Sequence, residues 1–127
     1  MINLPDFSKA FEYENNFYLS CDNSRLGKFI AHYELFNMAA DLPGAIVECG
    51  VFKGNSLVRF AGFSKLRGAA ADKKIIGFDS FGGFPETEFE PDKKQRRKFI
   101  ADAGSQSVSV PQLKRVFRHK GIERNVE

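Results

Sequence analysis

The chain has 127 residues, of which 43% are hydrophobic, and its formal net charge is +3. This length and composition predict one small globular domain and exclude a disordered polypeptide. No stretch approaches the roughly 20 apolar residues that span a bilayer, and the first residues lack the apolar core of a signal peptide. We therefore expect a cytoplasmic protein with no membrane partner.

Residues 1–42 are predicted to form an N-terminal helical segment. Its clearest helix runs from Ser24 to Ala40, because Asp22 and Asn23 offer caps at its start and apolar side chains recur at helical spacing. That apolar stripe consists of Leu26, Phe29, Ile30, Tyr33, Phe36 and Ala40. We expect the stripe to pack over a sheet.

A strand and a glycine turn open the remaining unit, residues 43–127. The apolar residues 45–47 predict a short buried parallel strand, with Glu48 at its carboxyl end and a buried, reduced Cys49 beside it. Two glycines follow in the same segment, GAIVECGVFKGNS, and they permit a tight turn and the close approach of a ligand. A turn of this kind presents backbone N–H groups to a nucleotide-like ligand.

A second strand is predicted over Ile75–Phe78, and it too leads into an acid, Asp79. The two strands are connected by a helix with one apolar face, from Ser56 to Arg67, and by the linker sequence GAAAD at residues 68–72. An acid at the tip of the second strand of a βαβ unit is placed to accept hydrogen bonds from both ribose hydroxyls of a bound adenosine.

The glycine turn favours one class of adenosine ligand over another. Phe52 stands where a dinucleotide fingerprint has its middle glycine, and its bulk leaves less room for a pyrophosphate. S-adenosylmethionine has no pyrophosphate, and its carboxylate can lie against a helix N-terminus near Asn55 and Ser56. The pattern therefore favours S-adenosylmethionine over NAD.

The remaining chain predicts two more helices, Pro91–Ala103 and Pro111–Lys120, and the lead-in to a third strand at Arg124–Val126. An acidic loop, ETEFEPD at residues 86–92, is interpreted as a solvated connection and not a metal site. Both helices carry basic clusters, but each also has an apolar face, which favours solvated surfaces over nucleic-acid binding. We expect no nucleic-acid partner.

Two sequence blocks, VECGVFKGNS and IIGFDSFGGFPE, resemble the macrocin O-methyltransferase family of S-adenosylmethionine-dependent enzymes. The residues that match the family pattern are Glu48, Gly50, Val51, Phe52, Lys53 and Gly54 in the first block, and Asp79, Ser80, Phe81, Gly83, Phe84 and Pro85 in the second. The resemblance covers most of residues 21–127. Asn55 departs from it, because the family usually has a second glycine there.

The resemblance implies an α/β fold of the Rossmann-like class I methyltransferase type, with helices flanking a parallel sheet. It implies that the cofactor-binding residues are Glu48, Gly50, Val51, Phe52, Gly54, Asn55, Ser56, Asp79, Ser80 and Phe81. Glu48 would orient the cofactor's ammonium group, although it could instead hold loop N–H groups. Phe81 would stack on the adenine, although in a chain with 14 phenylalanines an aromatic residue more often belongs to the core.

The fold that the resemblance implies has seven strands, whereas this sequence predicts two or three. We therefore expect an N-terminal portion of a methyltransferase domain, truncated after the first two strands. A small protein that completes its sheet with another chain, including a homo-oligomer, is the alternative. Similar enzymes use a divalent metal such as Mg²⁺, and the resemblance places its ligands in segments that follow, so no catalytic residue or metal ligand is assigned here.

Two functions follow from these observations. The first is O-methylation of a hydroxyl on a sugar or another small-molecule natural product, with this chain supplying the cofactor-binding half. The second is a non-catalytic Rossmann-like module that needs a partner chain or further sequence for turnover. The acceptor and the methylated position are not specified by the sequence.

Overall fold

Short strands alternate with helices in the computed structural model, which describes residues 2–68 and 73–127. The elements in chain order are α1 (Ala10–Ser20), α2 (Asn23–Ala40), β1 (Ile46–Cys49), α3 (Asn55–Arg67), β2 (Ile75–Phe78), α4 (Glu90–Ala103) and α5 (Val110–Lys120). Short 3-10 turns occur at Phe7–Lys9 and Glu123–Asn125. Residues 69–72, which form most of the predicted linker, lie outside the described residues. Within the described ranges, no helix is long and apolar enough to cross a bilayer.

Side chains cap the starts of two helices, α2 and α5, and the cap of α2 is the one that the sequence predicts. The Asp22 carboxylate accepts the Ser24 N–H at 2.8 Å at the start of α2. Ser109 and Gln112 form a reciprocal capping box at the start of α5. Helices α2 to α5 each begin one residue before the predicted start and end at the predicted residue.

Strands β1 and β2 pair in parallel, with Ile46 opposite Ile75 and Cys49 opposite Phe78. The other edge of β2 pairs with the last residues of the chain. The Glu127 N–H donates to the Ile75 carbonyl at 3.0 Å, and the Gly77 N–H donates to the Glu127 carbonyl at 2.9 Å. The predicted third strand therefore lies beside β2, although Glu123–Asn125 form a 3-10 turn immediately before it.

Helix α3 packs on one face of the sheet, the face that carries Ile75 and Gly77. A Cβ at Gly77 would lie 2.9 Å from Val51 and 3.1 Å from Leu57, so glycine is required there for the close approach of α3. The main core on this side contains Val51, Leu57, Ala61, Ile75, Val108, Leu113, Phe117 and Ile122.

The opposite face of the sheet is exposed. Val47 of β1 has 54% of its surface exposed and Phe78 of β2 has 60%. Cys49 shares this face and is exposed, so the prediction that it would be buried was wrong. The prediction that β1 would be buried holds for Ile46 better than for Val47, because no described helix covers the side to which Val47 points.

Only one end of the predicted apolar stripe on α2 is buried. Phe36 and Ala40 form a small second core with Phe63 of α3. Phe29 and Tyr33 contact the edge of the Phe63 ring but stay close to half exposed. Helix α2 thus packs mainly on α3 and not directly over the sheet.

Candidate functional site

Three loops meet at the carboxyl ends of the two strands. The first follows β1 at residues 50–54, the second follows β2 at residues 79–84, and the third precedes α5 at residues 104–109. The Val108 N–H donates to the Phe52 carbonyl at 2.8 Å, which ties the third loop to the first. The Phe84 N–H donates to the Ser105 carbonyl at 2.7 Å, which ties the third loop to the second. Backbone hydrogen bonds therefore hold all three loops as one surface.

Glu48 is the third residue of β1, and one of its carboxylate oxygens has no partner in the described part of the chain. Its Oε1 accepts a hydrogen bond from the Ser56 hydroxyl on the first turn of α3. Its Oε2 is buried and has no hydrogen-bond partner among the residues that the structure describes. Such a buried acceptor is costly unless a ligand or water satisfies it.

The pKa of Glu48 reflects this setting. Burial raises the pKa, and the negative charge of Asp79 adds to that rise. The Ser56 hydroxyl, the positive charge of Lys28 and the Leu57 N–H act in the opposite direction but do not cancel it. A cationic donor placed beside Oε2 would stabilise the ionised carboxylate.

Asp79 follows β2 directly, and each of its carboxylate oxygens accepts a backbone N–H. Its Oδ2 accepts the Phe52 N–H at 2.9 Å and its Oδ1 accepts the Phe81 N–H at 2.7 Å. Burial alone would raise the pKa of Asp79, but the N–H groups of Phe52, Phe81 and Val51, with the Ser80 hydroxyl, hold it below its ordinary value. Asp79 therefore fastens the loop after β1 to the loop after β2.

The two phenylalanines that Asp79 binds have strained backbones. Phe52 has φ of 49° and Phe81 has φ of 54°, both in the left-handed region that side chains with a Cβ rarely adopt. Conformations of this kind cost on the order of 1–3 kcal/mol and are held by their surroundings, often at functional sites. The two hydrogen bonds to Asp79 supply that support.

The two glycines of the predicted turn have different surroundings. Both have positive φ, 90° at Gly50 and 79° at Gly54. A Cβ at Gly50 would meet nothing within 4 Å, whereas a Cβ at Gly54 would lie 2.6 Å from a methyl carbon of Leu113. Gly54 is thus required by the packing of α5, and Gly50 leaves open space into which a ligand can come close. Contact of either glycine with a cofactor stays a prediction.

The other predicted site residues divide between the core and the loop surface. Val51 is buried in the main core, and Phe81 packs partly buried against it. Phe52 packs with Phe84 and Phe99. Ser80 is exposed beside Asp79, and Asn55 is exposed on the first turn of α3. The site residues thus lie on connected loops, but Val51 and Phe52 pack against other protein side chains.

Two features of the site were not predicted. Lys53 donates to the Gln106 carbonyl and lies 4.6 Å from the centroid of the Phe52 ring, so it joins the first and third loops. Lys28 of α2 lies close enough to lower the pKa of Glu48. No local pattern predicts the interaction of Lys53 with Gln106 or that of Lys28 with Glu48, because each joins segments distant in sequence.

The described residues offer no metal centre of protein side chains. Within residues 2–68 and 73–127, no group of three His, Cys, Asp or Glu side chains is arranged to hold a metal ion. The arrangement does offer a buried acceptor at Glu48, an acceptor at Asp79, an open approach at Gly50 and the N-terminus of α3. These groups suit a ligand with both cationic and hydroxyl donors.

A parallel sheet with a glycine turn after one strand and an acid near the carboxyl end of each strand is typical of an α/β protein that binds a nucleotide-derived ligand at its carboxyl edge. A scan against protein-family models finds the macrocin-O-methyltransferase (TylF) family, which matches residues 21–126. The chain belongs to this family of O-methyltransferases, as its two sequence blocks predict. Searches of curated proteins and of solved structures found no match.

Proposed function

We propose that this chain binds S-adenosylmethionine at the carboxyl ends of β1 and β2, as the cofactor-binding part of an O-methyltransferase with a Rossmann-like fold. The observation that carries the proposal is the buried, unpartnered Oε2 of Glu48 beside the turn after β1. An ammonium group is the ligand group that best satisfies a buried carboxylate oxygen. S-adenosylmethionine carries an ammonium group together with an adenosine and a carboxylate.

The chain's own residues have distinct roles in this proposal. Glu48 accepts the cofactor's ammonium group, and the first turn of α3 at Asn55 and Ser56 faces its carboxylate. Asp79 has further lone pairs on its two oxygens and accepts the ribose hydroxyls. The ring of Phe81 flanks the adenine. When bound, S-adenosylmethionine supplies an electrophilic methyl group on sulfur.

The proposed acceptor is a hydroxyl of a sugar or another small-molecule natural product. The protein's task in such a transfer is to align acceptor and donor and to remove the hydroxyl proton. A divalent metal such as Mg²⁺ would assist by acidifying that hydroxyl, with ligands outside the set that the described residues provide. The family membership supports the reaction class.

Cofactor binding is tested by calorimetric titration of S-adenosylmethionine and, separately, NAD into the purified chain. We expect saturable binding of S-adenosylmethionine and none of NAD. The variant Glu48→Gln should bind about tenfold more weakly, because a charge-assisted hydrogen bond is lost. Glu34→Gln, which neutralises an exposed glutamate on α2, is the matched control and should bind as the parent does.

Two results would contradict the proposal. A chain that is folded by circular dichroism and binds no S-adenosylmethionine would remove the cofactor assignment. Equal affinity in the parent and in Glu48→Gln would remove the role of Glu48 and leave the assignment without its main support.

A second candidate function is a module that binds the cofactor without turnover until another polypeptide covers it. The exposed sheet face at Val47 and Phe78 favours this candidate, because parallel sheets are usually covered on both faces. Transfer of a radiolabelled methyl group to hydroxylated acceptors, measured with and without Mg²⁺, separates the two candidates. Binding with no transfer to any acceptor would favour the module.

A further inference from the structure

Three basic side chains come together where α2 packs against α3. Lys28 and His32 lie one helical turn apart on α2, and Arg59 lies near the start of α3. One guanidinium nitrogen of Arg59, Nη1, lies 3.2 Å from Nδ1 of His32. The charge of Lys28 influences both His32 and Glu48, so this basic cluster adjoins the end of β1.

The basic cluster presents hydrogen-bond donors. A guanidinium group has no acceptor, so Nδ1 of His32 must be the acceptor in its contact with Arg59. In the neutral imidazole the proton then lies on Nε2, which is a donor. The remaining N–H groups of Arg59 and the ammonium group of Lys28 add further donors.

Aromatic rings hold two members of the cluster in place. His32 stacks on Phe60, with the ring centroids 5.0 Å apart and an interplanar angle of 12°. The guanidinium carbon of Arg59 lies 5.4 Å from the centroid of Phe29. These contacts order the side chains before any ligand arrives, which lowers the entropic cost of binding.

Among the described residues, the cluster has no close counterion. Within the described ranges, no carboxylate lies within 4 Å of Lys28, His32 or Arg59. Burial lowers the pKa of Arg59, and burial followed by the charges of Arg59 and Lys28 lowers the pKa of His32. The positive charges of the cluster are therefore disfavoured both by desolvation and by their mutual repulsion. A bound anion would reduce both costs.

We propose that Lys28, His32 and Arg59 form a binding site for a carboxylate or phosphate group. Arginine suits either group because its planar N–H groups match two oxygens at once. The group belongs either to a second ligand bound beside the cofactor or to the cofactor's own carboxylate, and in the second case this cluster replaces the first turn of α3 as the place where that carboxylate binds. This anion site does not depend on the proposed function. Only the last experiment described below, which uses S-adenosylmethionine, rests on that function.

The first part of the test is a titration of the chain with inorganic phosphate at constant ionic strength. The NMR signals of the histidine rings are recorded at each phosphate concentration. The chain has two histidines, so His119 serves as an internal control on α5 among other basic residues. We expect the His32 signals to shift saturably and the pKa of His32 to rise, with little change at His119. Equal, non-saturating shifts of both histidines would show general screening and would overturn the proposal.

Variants identify the donors. Arg59→Gln should weaken phosphate binding about tenfold or more, because hydrogen bonds to a charged group are lost. Lys28→Gln changes an exposed side chain and should weaken binding without altering the fold. Arg118→Gln, which removes an exposed cation from α5, is the matched control and should leave binding unchanged. Equal weakening by Arg118→Gln would overturn the assignment to this cluster.

The last arm distinguishes the two sources of the anion. If S-adenosylmethionine displaces phosphate and 5′-methylthioadenosine, which lacks the amino-acid part, does not, the cluster binds the cofactor's carboxylate. If phosphate and S-adenosylmethionine bind together, the cluster binds an anionic group of a second ligand. Failure of the proposed function would appear here as no S-adenosylmethionine binding, while the phosphate shift at His32 persisted.

Discussion

The ends of β1 and β2 each carry an acid at the same edge of the sheet, but the two acids have opposite surroundings. Asp79 has a backbone N–H on each carboxylate oxygen and a lowered pKa. Glu48 has a raised pKa and a buried oxygen with no partner in the described part of the chain. The two acids therefore differ in role: Asp79 fastens the loops, whereas Glu48, which lies opposite Gly77, keeps a buried carboxylate oxygen with no partner in the described part of the chain.

The largest effect is expected at the turn after β1. Gly54→Ala forces a Cβ into a left-handed residue and to 2.6 Å from Leu113, so we expect a loss of about 3 kcal/mol in the free energy of unfolding. Gly50→Ala has a similar φ but open space, and should cost about 1 kcal/mol. Urea denaturation of both variants measures the difference. Equal losses would mean that α5 moves to accommodate the added methyl group.

The sequence predicts the local parts of this fold well. The bounds of α2 to α5, the position of β2 and the turn after β1 follow from periodicity, caps and glycines, all of which act between near neighbours, whereas the bounds of α1 were not predicted. The family and the paired acids follow from two contiguous blocks. The loss of burial at Val47 and Cys49 could not be predicted, because it depends on which elements cover each face of the sheet.

The division of roles between the two acids was also beyond the sequence. Asp79 contacts the Phe52 N–H across 27 positions, and the loop before α5 binds the turn after β1 through the Val108 N–H. Such contacts depend on how the loops fold back, which no spacing in the chain specifies. Asp79 therefore has a structural role, the fastening of two loops, in addition to its predicted contact with ribose. That role is visible only in the folded loops.

Removal of the carboxylate at the end of β2 should give the next largest effect. Asp79→Ala leaves two N–H groups without their acceptor and two strained phenylalanines without support, so we expect a loss of about 2 kcal/mol in the free energy of unfolding. Asp102→Ala, which truncates an exposed aspartate on α4, is the matched control and should change stability by less than about 0.5 kcal/mol. Urea denaturation measures both, and an unchanged midpoint in Asp79→Ala would refute the fastening role.

The opposite pKa shifts predict opposite dependences of stability on pH. The raised pKa of Glu48 means that its contribution is present in acid and is lost as pH rises through the folded-state pKa. The lowered pKa of Asp79 means that its contribution is present near neutral pH and is lost as pH falls through the folded-state pKa. Glu48 should therefore make stability fall as pH rises, and Asp79 should make stability fall as pH decreases.

Urea denaturation of the parent chain, Glu48→Gln and Asp79→Asn between about pH 3 and 8 separates these contributions. The stability of the parent relative to Glu48→Gln should fall as pH rises. Its stability relative to Asp79→Asn should fall as pH decreases. Two difference curves with the same slope would show that the two acids have similar environments. That result would contradict the contrast between Glu48 and Asp79.

The smallest effect is expected at Ser56, which gives Glu48 its hydroxyl partner. Ser56→Ala should cost about 1 kcal/mol of stability or less, because one hydrogen bond is lost. It should also raise the pKa of Glu48 further, since the Ser56 hydroxyl is the largest of the effects that lower it. The pKa is read from the carboxyl carbon signal of Glu48 in an NMR titration. A pKa that moves down would mean that water replaces the hydroxyl and solvates the carboxylate, so that the end of β1 is open to solvent and not held dry for a ligand.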